Sequence, residues 1–294
     1  MKILVTGSGG FLGGSIARHV FAHGIDVTGV ARKVLPDAPI ITLVGDLRDR
    51  NWTSTLAGAK WTCIVHCAAA IPYDFFGAEA IAAAEANTVI DSNVIDLALR
   101  SGARLIYLSG TSLYGQNTAN ELLDESALLE PTGPYLEAKA KAEMEILRQL
   151  DGRAIILRIS APYGFGQRPT VFSRFIGDAL AANPILLFGR GTRTQSFTHV
   201  DDICNVFSRS TFVSGADGVF NIAGDPAITM HDLAAKIKLL LNSNSDICYL
   251  NTPDPQEYFR GSYSTKKAES ILRWRQRTPL DRGIIKFARM MSMR

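Results

Sequence analysis

Residues 2–14, KILVTGSGGFLGG, constrain the fold more tightly than any other part of the chain. KILVT reads as a short buried strand. Gly7, Gly10 and Gly13 follow at intervals of three, and an amphipathic run over 11–23 then stops at Gly24. A strand that turns through spaced glycines into a helix suits a pyrophosphate. The glycines allow the tight turn, the close backbone approach and the flush packing of helix on strand, and the helix start offers unpaired N–H groups with partial positive charge. A glycine triplet alone is weak, but at the first strand–helix junction it is specific. Gly7, Gly10, Phe11, Leu12 and Gly13 are therefore the first cofactor-binding candidates.

The same alternation continues down the chain. DVTGVAR, IITLVGD, WTCIVHCAA, ARLIYLSG and RAIILRIS read as strands two to six, with helices over 78–100 and 134–150. Apolar strands separated by helices predict a parallel sheet covered on both faces, the doubly wound α/β (Rossmann) arrangement. After residue 160 the rhythm breaks at Pro162, Gly164, Gly166, Pro169, Gly189 and Gly191. A dinucleotide-binding domain over 1–160 is expected, then a smaller C-terminal lobe over 161–294, of which 196–224 has a pattern that could return to the first domain.

Composition removes several classes. At 47 % hydrophobic and 20 % charged residues, the 294-residue chain can build a sizeable core. A net charge of +3 without a basic, aromatic-laced run argues against nucleic acid. Cys63, Cys67, Cys204 and Cys248 are too scattered for a disulfide scaffold and fit a reducing compartment. With no apolar run of about 20 residues and no apolar leader after Met1-Lys2, a cytoplasmic protein without membrane spans is expected. His19 and His23 stand one turn apart without a third ligand, so no metal site is expected.

The end of the second strand reads VARK. An acidic residue there would hold the ribose 2′-hydroxyl of NAD, whereas Arg32 suits a 2′-phosphate. NADP is accordingly expected ahead of NAD. Asp46, beside Leu47 in GDL, is placed to accept from the adenine amino group. At the chemical end, YLEAK sets Tyr135 and Lys139 one helical turn apart. A phenol of ordinary pKa about 10 is a poor acid or base at neutral pH, and a nearby ammonium lowers it. Such a pair moves a proton at a carbinol oxygen while hydride passes to or from nicotinamide.

TGSGGFLG, GDLRD, VHCAA, EANTVIDSNVIDLA, YLSGTSLYG, YLEAK, LRISAPYGFGQ, GRGTRTQSFTHVDD and GVFNIAG occur in that order. In these pieces the chain resembles an extended short-chain dehydrogenase/reductase of the NAD-dependent epimerase/dehydratase family. The resemblance implies cofactor contacts at Ala68, Ala69 and Asn87, and Tyr135 with Lys139 as the catalytic pair. It also implies a nucleotide sugar in the C-terminal lobe and a homodimer through the helices at 78–100 and 134–150. The family's catalytic hydroxyl falls on Gly110 here, which leaves Ser109 or Thr111, with Thr111 the better placed at the strand end. A diphosphate-contacting arginine falls on Gln195, with Arg193 two residues earlier, while Arg260 matches a second one. The expected function is an NADP-dependent keto-reductase acting on a nucleotide sugar or sugar-like substrate. The alternatives are an epimerase that keeps its cofactor and a non-catalytic dinucleotide-sensing protein.

Overall fold

In the computed structural model, which describes residues 1–35, 38–119, 121–208, 211–212 and 215–293, seven parallel strands form one sheet. They are β1 (Lys2–Thr6), β2 (Asp26–Ala31), β3 (Ile41–Val44), β4 (Cys63–His66), β5 (Arg104–Gly110), β6 (Ala154–Ile159) and β11 (Gly218–Ile222). The spatial order is β11-β6-β5-β4-β1-β2-β3, so the chain starts mid-sheet and winds outward in both directions. Short strands β7 (Pro162–Tyr163), β8 (Ile185–Leu187), β9 (Thr194–Gln195) and β10 (Thr198–His199) lie between β6 and β11 in sequence and pair outside this sheet.

Both faces of the sheet are covered, which explains the unbroken apolar runs. On one face Ile3, Val5, Val65, Ile106 and Leu157 pack with Ile16 and Val20 of α1 (Phe11–Ala22). On the other, Leu4, Ile64, Leu105 and Ile156 pack beneath α3 (Ala78–Ser101) and α4 (Pro134–Gln149), which follow the short α2 (Arg50–Thr55) in the chain. The register sets Thr6 opposite His66, and His66 opposite Tyr107, in one row near the carboxyl ends of β1, β4 and β5.

The segment over 196–224 adds to the first face. Val200, Ile203 and Cys204, in the helix Val200–Cys204, join the α1 cluster, and β11 pairs with β6, Phe220 against Leu157. A separate core gathers Tyr163, Phe172, Phe175, Phe197, Leu233 and Phe287. It is built from three helices that the sequence reading left as irregular chain: Val171–Leu180, Met230–Leu240 and Leu280–Ser292. Glycines and prolines cluster in the loops between these helices and mask their periodicity. The cleft described below opens between this lobe and the sheet. Among the described residues, no helix is long and apolar enough to cross a membrane, and no group of three or more His, Cys, Asp and Glu is placed to hold a metal.

One buried ion pair ties α4 to the sheet. Arg158 of β6 donates to Glu143 of α4 through Nη2 at 2.6 Å and Nε at 3.1 Å, and its Nη1 donates to the Tyr114 hydroxyl at 3.0 Å. Tyr114 in turn donates to Asn221 of β11 at 2.8 Å. Removing one member of such a pair leaves the other charge buried alone, which costs about 3–5 kcal/mol. Glu143→Gln should therefore lower the unfolding free energy by about that amount in urea titration. A loss under about 1 kcal/mol would show that the pair is not holding α4 to the sheet.

Candidate active site

The glycine turn is built for close approach. A Cβ on Gly7 would stand 2.8 Å from both N and Cα of Ala68, and one on Gly13 would stand 2.3 Å from the Gly7 carbonyl oxygen. Gly7 also holds a φ of +68°, a left-handed conformation natural to glycine. Gly10 N-caps α1 with no side-chain bond, and no acidic residue occupies the first turn. The N–H groups of Phe11 and Leu12 thus begin a helix whose positive end is neither capped nor neutralised, and this fits a diphosphate.

Neighbouring loops are pinned around this turn. The Thr6 hydroxyl accepts from the backbone N–H of Cys67 and of Ala68, both at 3.2 Å. Asn87 of α3 clamps the next loop by accepting from Ala70 N at 2.7 Å and donating to Ala70 O at 2.8 Å. Ala69 and Leu12 line the cleft that opens beyond.

Leu47 is buried in the core, and Asn93 donates to its carbonyl at 2.8 Å. Asp46 is engaged by Arg48, whose Nη2 lies 2.6 Å from Oδ2. That bond comes first among the causes that hold the Asp46 carboxyl below the usual carboxylate range, and exposed Arg32 adds to it.

Tyr135 and Lys139 occupy the first two turns of α4, and both are buried against the cleft wall. Gly133, at φ +87°, starts this helix where a Cβ would stand 2.6 Å from the Phe75 carbonyl oxygen. The Phe75 ring accordingly meets Tyr135 edge-on at 5.4 Å. The electrostatics differ from the sequence expectation. The Lys139 ammonium donates to the Tyr107 hydroxyl at 2.9 Å, and the Tyr135 phenol is pushed up to about 12. Burial is the first cause, the charge of Asp91 the second, and Arg168 opposes both. Lys139 itself is held below the ordinary lysine range by burial, against Asp91, Glu143 and Cys67. The phenol thus holds its proton in the free protein.

Three hydroxyls surround Gly110. Ser109 Oγ is buried in the cleft wall without a hydrogen-bond partner. Thr111, the hydroxyl expected at the strand end, begins a single tight turn, is buried and also lines the cleft, with Tyr263 as a neighbour. That turn, Thr111–Tyr114, also curls Ser112 back toward residue 110, so that its Oγ lies 3.3 Å from where a Gly110 Cβ would stand. The sequence reading missed Ser112, because a strand period cannot show a chain doubling back. Gly110 itself is extended, at φ −142° and ψ 149°, a conformation open to any residue.

The cleft has a volume of about 800 Å³. On the lobe side it is lined by Arg174, Phe188, Arg193, Gln195 and Tyr263. Arg193 is half-buried, donating to Gln256 at 2.6 Å with Asp254 at 3.4 Å, and Gln195 donates to Ser160 at 3.4 Å. Arg260 is not among the lining residues. Its Nη1 donates instead to the carbonyls of Thr192, Phe259 and Glu257, at 3.1, 3.0 and 3.2 Å. Arg174 is the cation that the sequence reading overlooked, because it sits on a helix hidden in chain read as irregular. Its guanidinium lies 5.6 Å from the Phe188 ring, and among the described residues it has no carboxylate partner.

The sequence model of the NAD dependent epimerase/dehydratase family matches residues 3–223. The chain is 28 % identical over 304 residues to UDP-glucuronic acid decarboxylase 1 of Danio rerio, covering 97 % of this chain and 71 % of that protein. It is 26 % identical over 299 residues to a putative UDP-glucose 4-epimerase of Methanocaldococcus jannaschii, covering 96 % and 95 %. Among solved structures, the UDP-glucose 4-epimerase of Thermotoga maritima with UDP-glucose superposes at a TM-score of 0.89 and 21 % identity, covering 100 % of this chain and 99 % of that one. MoeE5 in complex with UDP-glucuronic acid and NAD superposes at 0.87 and 25 % identity, covering 100 % and 99 %.

The glycine geometry gives a direct test. Gly13→Ala forces the new methyl into the Gly7 carbonyl, so it should weaken binding of reduced dinucleotide at least tenfold in a fluorescence titration, about 1.4 kcal/mol. Binding within twofold of the parent would show that the turn is not the cradle.

Proposed function

The chain belongs to the NAD-dependent epimerase/dehydratase family, and from that premise we propose that it reduces a keto group on a nucleotide-linked sugar. The observation that carries this reading is the buried, proton-holding phenol of Tyr135, beside Lys139, in the wall of a cleft that meets the glycine turn. Reduction of a ketone needs a proton donor at the carbonyl oxygen, and the Tyr135 phenol carries a proton into the cleft wall that it shares with Lys139 and Ser109.

A nicotinamide dinucleotide would supply the hydride when bound, and the Gly7–Gly13 turn, the Ala68–Ala69 loop and the 46–47 segment would hold it. Tyr135 gives its proton to the carbonyl oxygen as that oxygen gains charge, so that C=O becomes CH–OH. Lys139 keeps a positive charge close to the phenolate left behind, which limits its cost. Ser109, whose hydroxyl lacks a partner, holds the carbonyl oxygen in line, with Ser112 next in reach. Arg174 and Arg193 line the lobe side of the cleft, where they would face a diphosphate.

The names of the D. rerio and M. jannaschii relatives and the UDP-glucuronic acid held by MoeE5 support a UDP-linked sugar as the substrate class. The M. jannaschii relative, a putative UDP-glucose 4-epimerase, supports a second reading, an epimerase that oxidises and re-reduces one carbon. For the cofactor, the NAD in MoeE5 weighs toward NAD. Arg32, with no acidic residue at the end of β2, is the feature of this chain that weighs toward NADP. The exposed apolar residues Val89 and Leu99 on α3 and Met144 on α4 support a homodimer through these helices.

One set of assays tests the reading. With UDP-linked keto sugars and NADPH, turnover should be visible as loss of 340 nm absorbance, and Tyr135→Phe should lower kcat at least about 10²-fold. Ser109→Ala should cost more than Thr111→Ala. NADPH should bind at least tenfold tighter than NADH, and Arg32→Ala should erase the difference. Undiminished turnover in Tyr135→Phe would overturn the acid role, and tighter NADH binding would make NAD the cofactor.

A further inference from the structure

Asp91 of α3 is a buried carboxylate, 5 % exposed, that the proposed chemistry does not use. The row formed by Thr6, His66 and Tyr107 faces it from three adjacent strands. The Thr6 hydroxyl already accepts two backbone N–H groups, so both lone pairs are taken and its own proton goes to His66 Nδ1, 2.7 Å away. This assigns His66 as the neutral tautomer with its proton on Nε2, which donates to Asp91 Oδ1 at 2.9 Å. On the other arm, Lys139 donates to Tyr107 at 2.9 Å, and Tyr107 donates to Asp91 Oδ2 at 3.1 Å. Both chains of donors end on the one carboxylate.

The groups facing Lys139 come from every element packed on it: Asp91 on α3, Tyr107 on β5, Cys67 after β4, and Tyr135 and Glu143 on α4. Burial pushes the Cys67 thiol and both phenols up, so all three are neutral near pH 7. Glu143 is bound to Arg158 of β6. Asp91 is the remaining anion of this set.

We propose that Asp91 is a positioning residue which, acting through Tyr107, keeps the Lys139 ammonium charged and aimed at the cleft. The proposal rests on the reading of Tyr135 and Lys139 as the reacting pair, and its test has a readout that needs no substrate. The sign follows from the charges. Burial favours the neutral amine and Asp91 favours the ammonium, so removing the carboxylate makes Lys139 lose its proton at lower pH. The same change also lets Tyr135 ionise at lower pH, because Asp91 is one of the groups that hold its proton on.

The experiment is an NMR titration of the Lys139 side-chain nitrogen in the full chain without substrate, its signal assigned by its absence from Lys139→Met. Asp91→Asn should move the Lys139 midpoint down by about one pH unit or more. Tyr107→Phe, which removes only the bridge, should move it in the same direction by less, and it serves alone if Asp91→Asn fails to fold. An unmoved midpoint in a folded variant overturns the proposal. In turnover, the alkaline limb of kcat/KM for ketone reduction should shift to lower pH in Asp91→Asn, with KM within twofold, and a limb that stays put counts against the proposal. If no nucleotide-linked ketone turns over at all, the proposed reaction fails, while the NMR midpoint still decides the role of Asp91.

Discussion

A carboxylate sealed between α3 and the sheet receives hydrogen bonds from two strands at once. Asp91 accepts from His66 of β4 at 2.9 Å and from Tyr107 of β5 at 3.1 Å. Burying a carboxylate costs several kcal/mol unless its oxygens are met, so this geometry is demanding on all its neighbours. His66 has to present one tautomer, Thr6 has to present its proton, and α3 has to sit at one height above the sheet. Asn87, one turn earlier on the same helix, then clamps Ala70, and the same Thr6 oxygen holds Cys67 and Ala68. The loop that flanks the glycine turn and the lysine that faces the cleft are thus set by one buried network.

Much of this fold can be read from the residues, because a parallel sheet leaves strong marks. The runs ILV, CIVH and IILRI have to be buried on both faces, and the helices at 78–100 and 134–150 were placed to within one residue at each end. The lobe was harder to read. Val171–Leu180 and Leu280–Ser292 pack around Phe172 and Phe287, but the glycine- and proline-rich loops between the helices break their pattern. The lobe is held by long-range contacts, which no local period reports.

The site divides along the same line. The glycine turn, Tyr135 and Lys139 were legible, because each depends on local spacing at a strand–helix junction. Partners set by the tertiary fold were not. Lys139 bonds to Tyr107, 32 positions away in sequence, while burial and the charge of Asp91 leave Tyr135 with a raised affinity for its proton instead of a lowered one. Ser112 came into reach only through the turn after β5, and Arg260 was drawn onto backbone carbonyls by its own loop. The phenol of Tyr135 is protonated in the free protein, and the Lys139 ammonium nearby is the group that can offset the charge its ionisation would leave.

The central claim is that hydride arrives at a sugar carbon while Tyr135 protonates the adjoining oxygen. Reduced cofactor carrying deuterium at the transferable position, incubated with a UDP-linked keto sugar, tests it most directly when the product is read by mass spectrometry. The account predicts deuterium on the sugar carbon with the parent protein and almost none with Tyr135→Phe over the same time. Label appearing at equal rates in both, or a sugar product that never carries label, would contradict it.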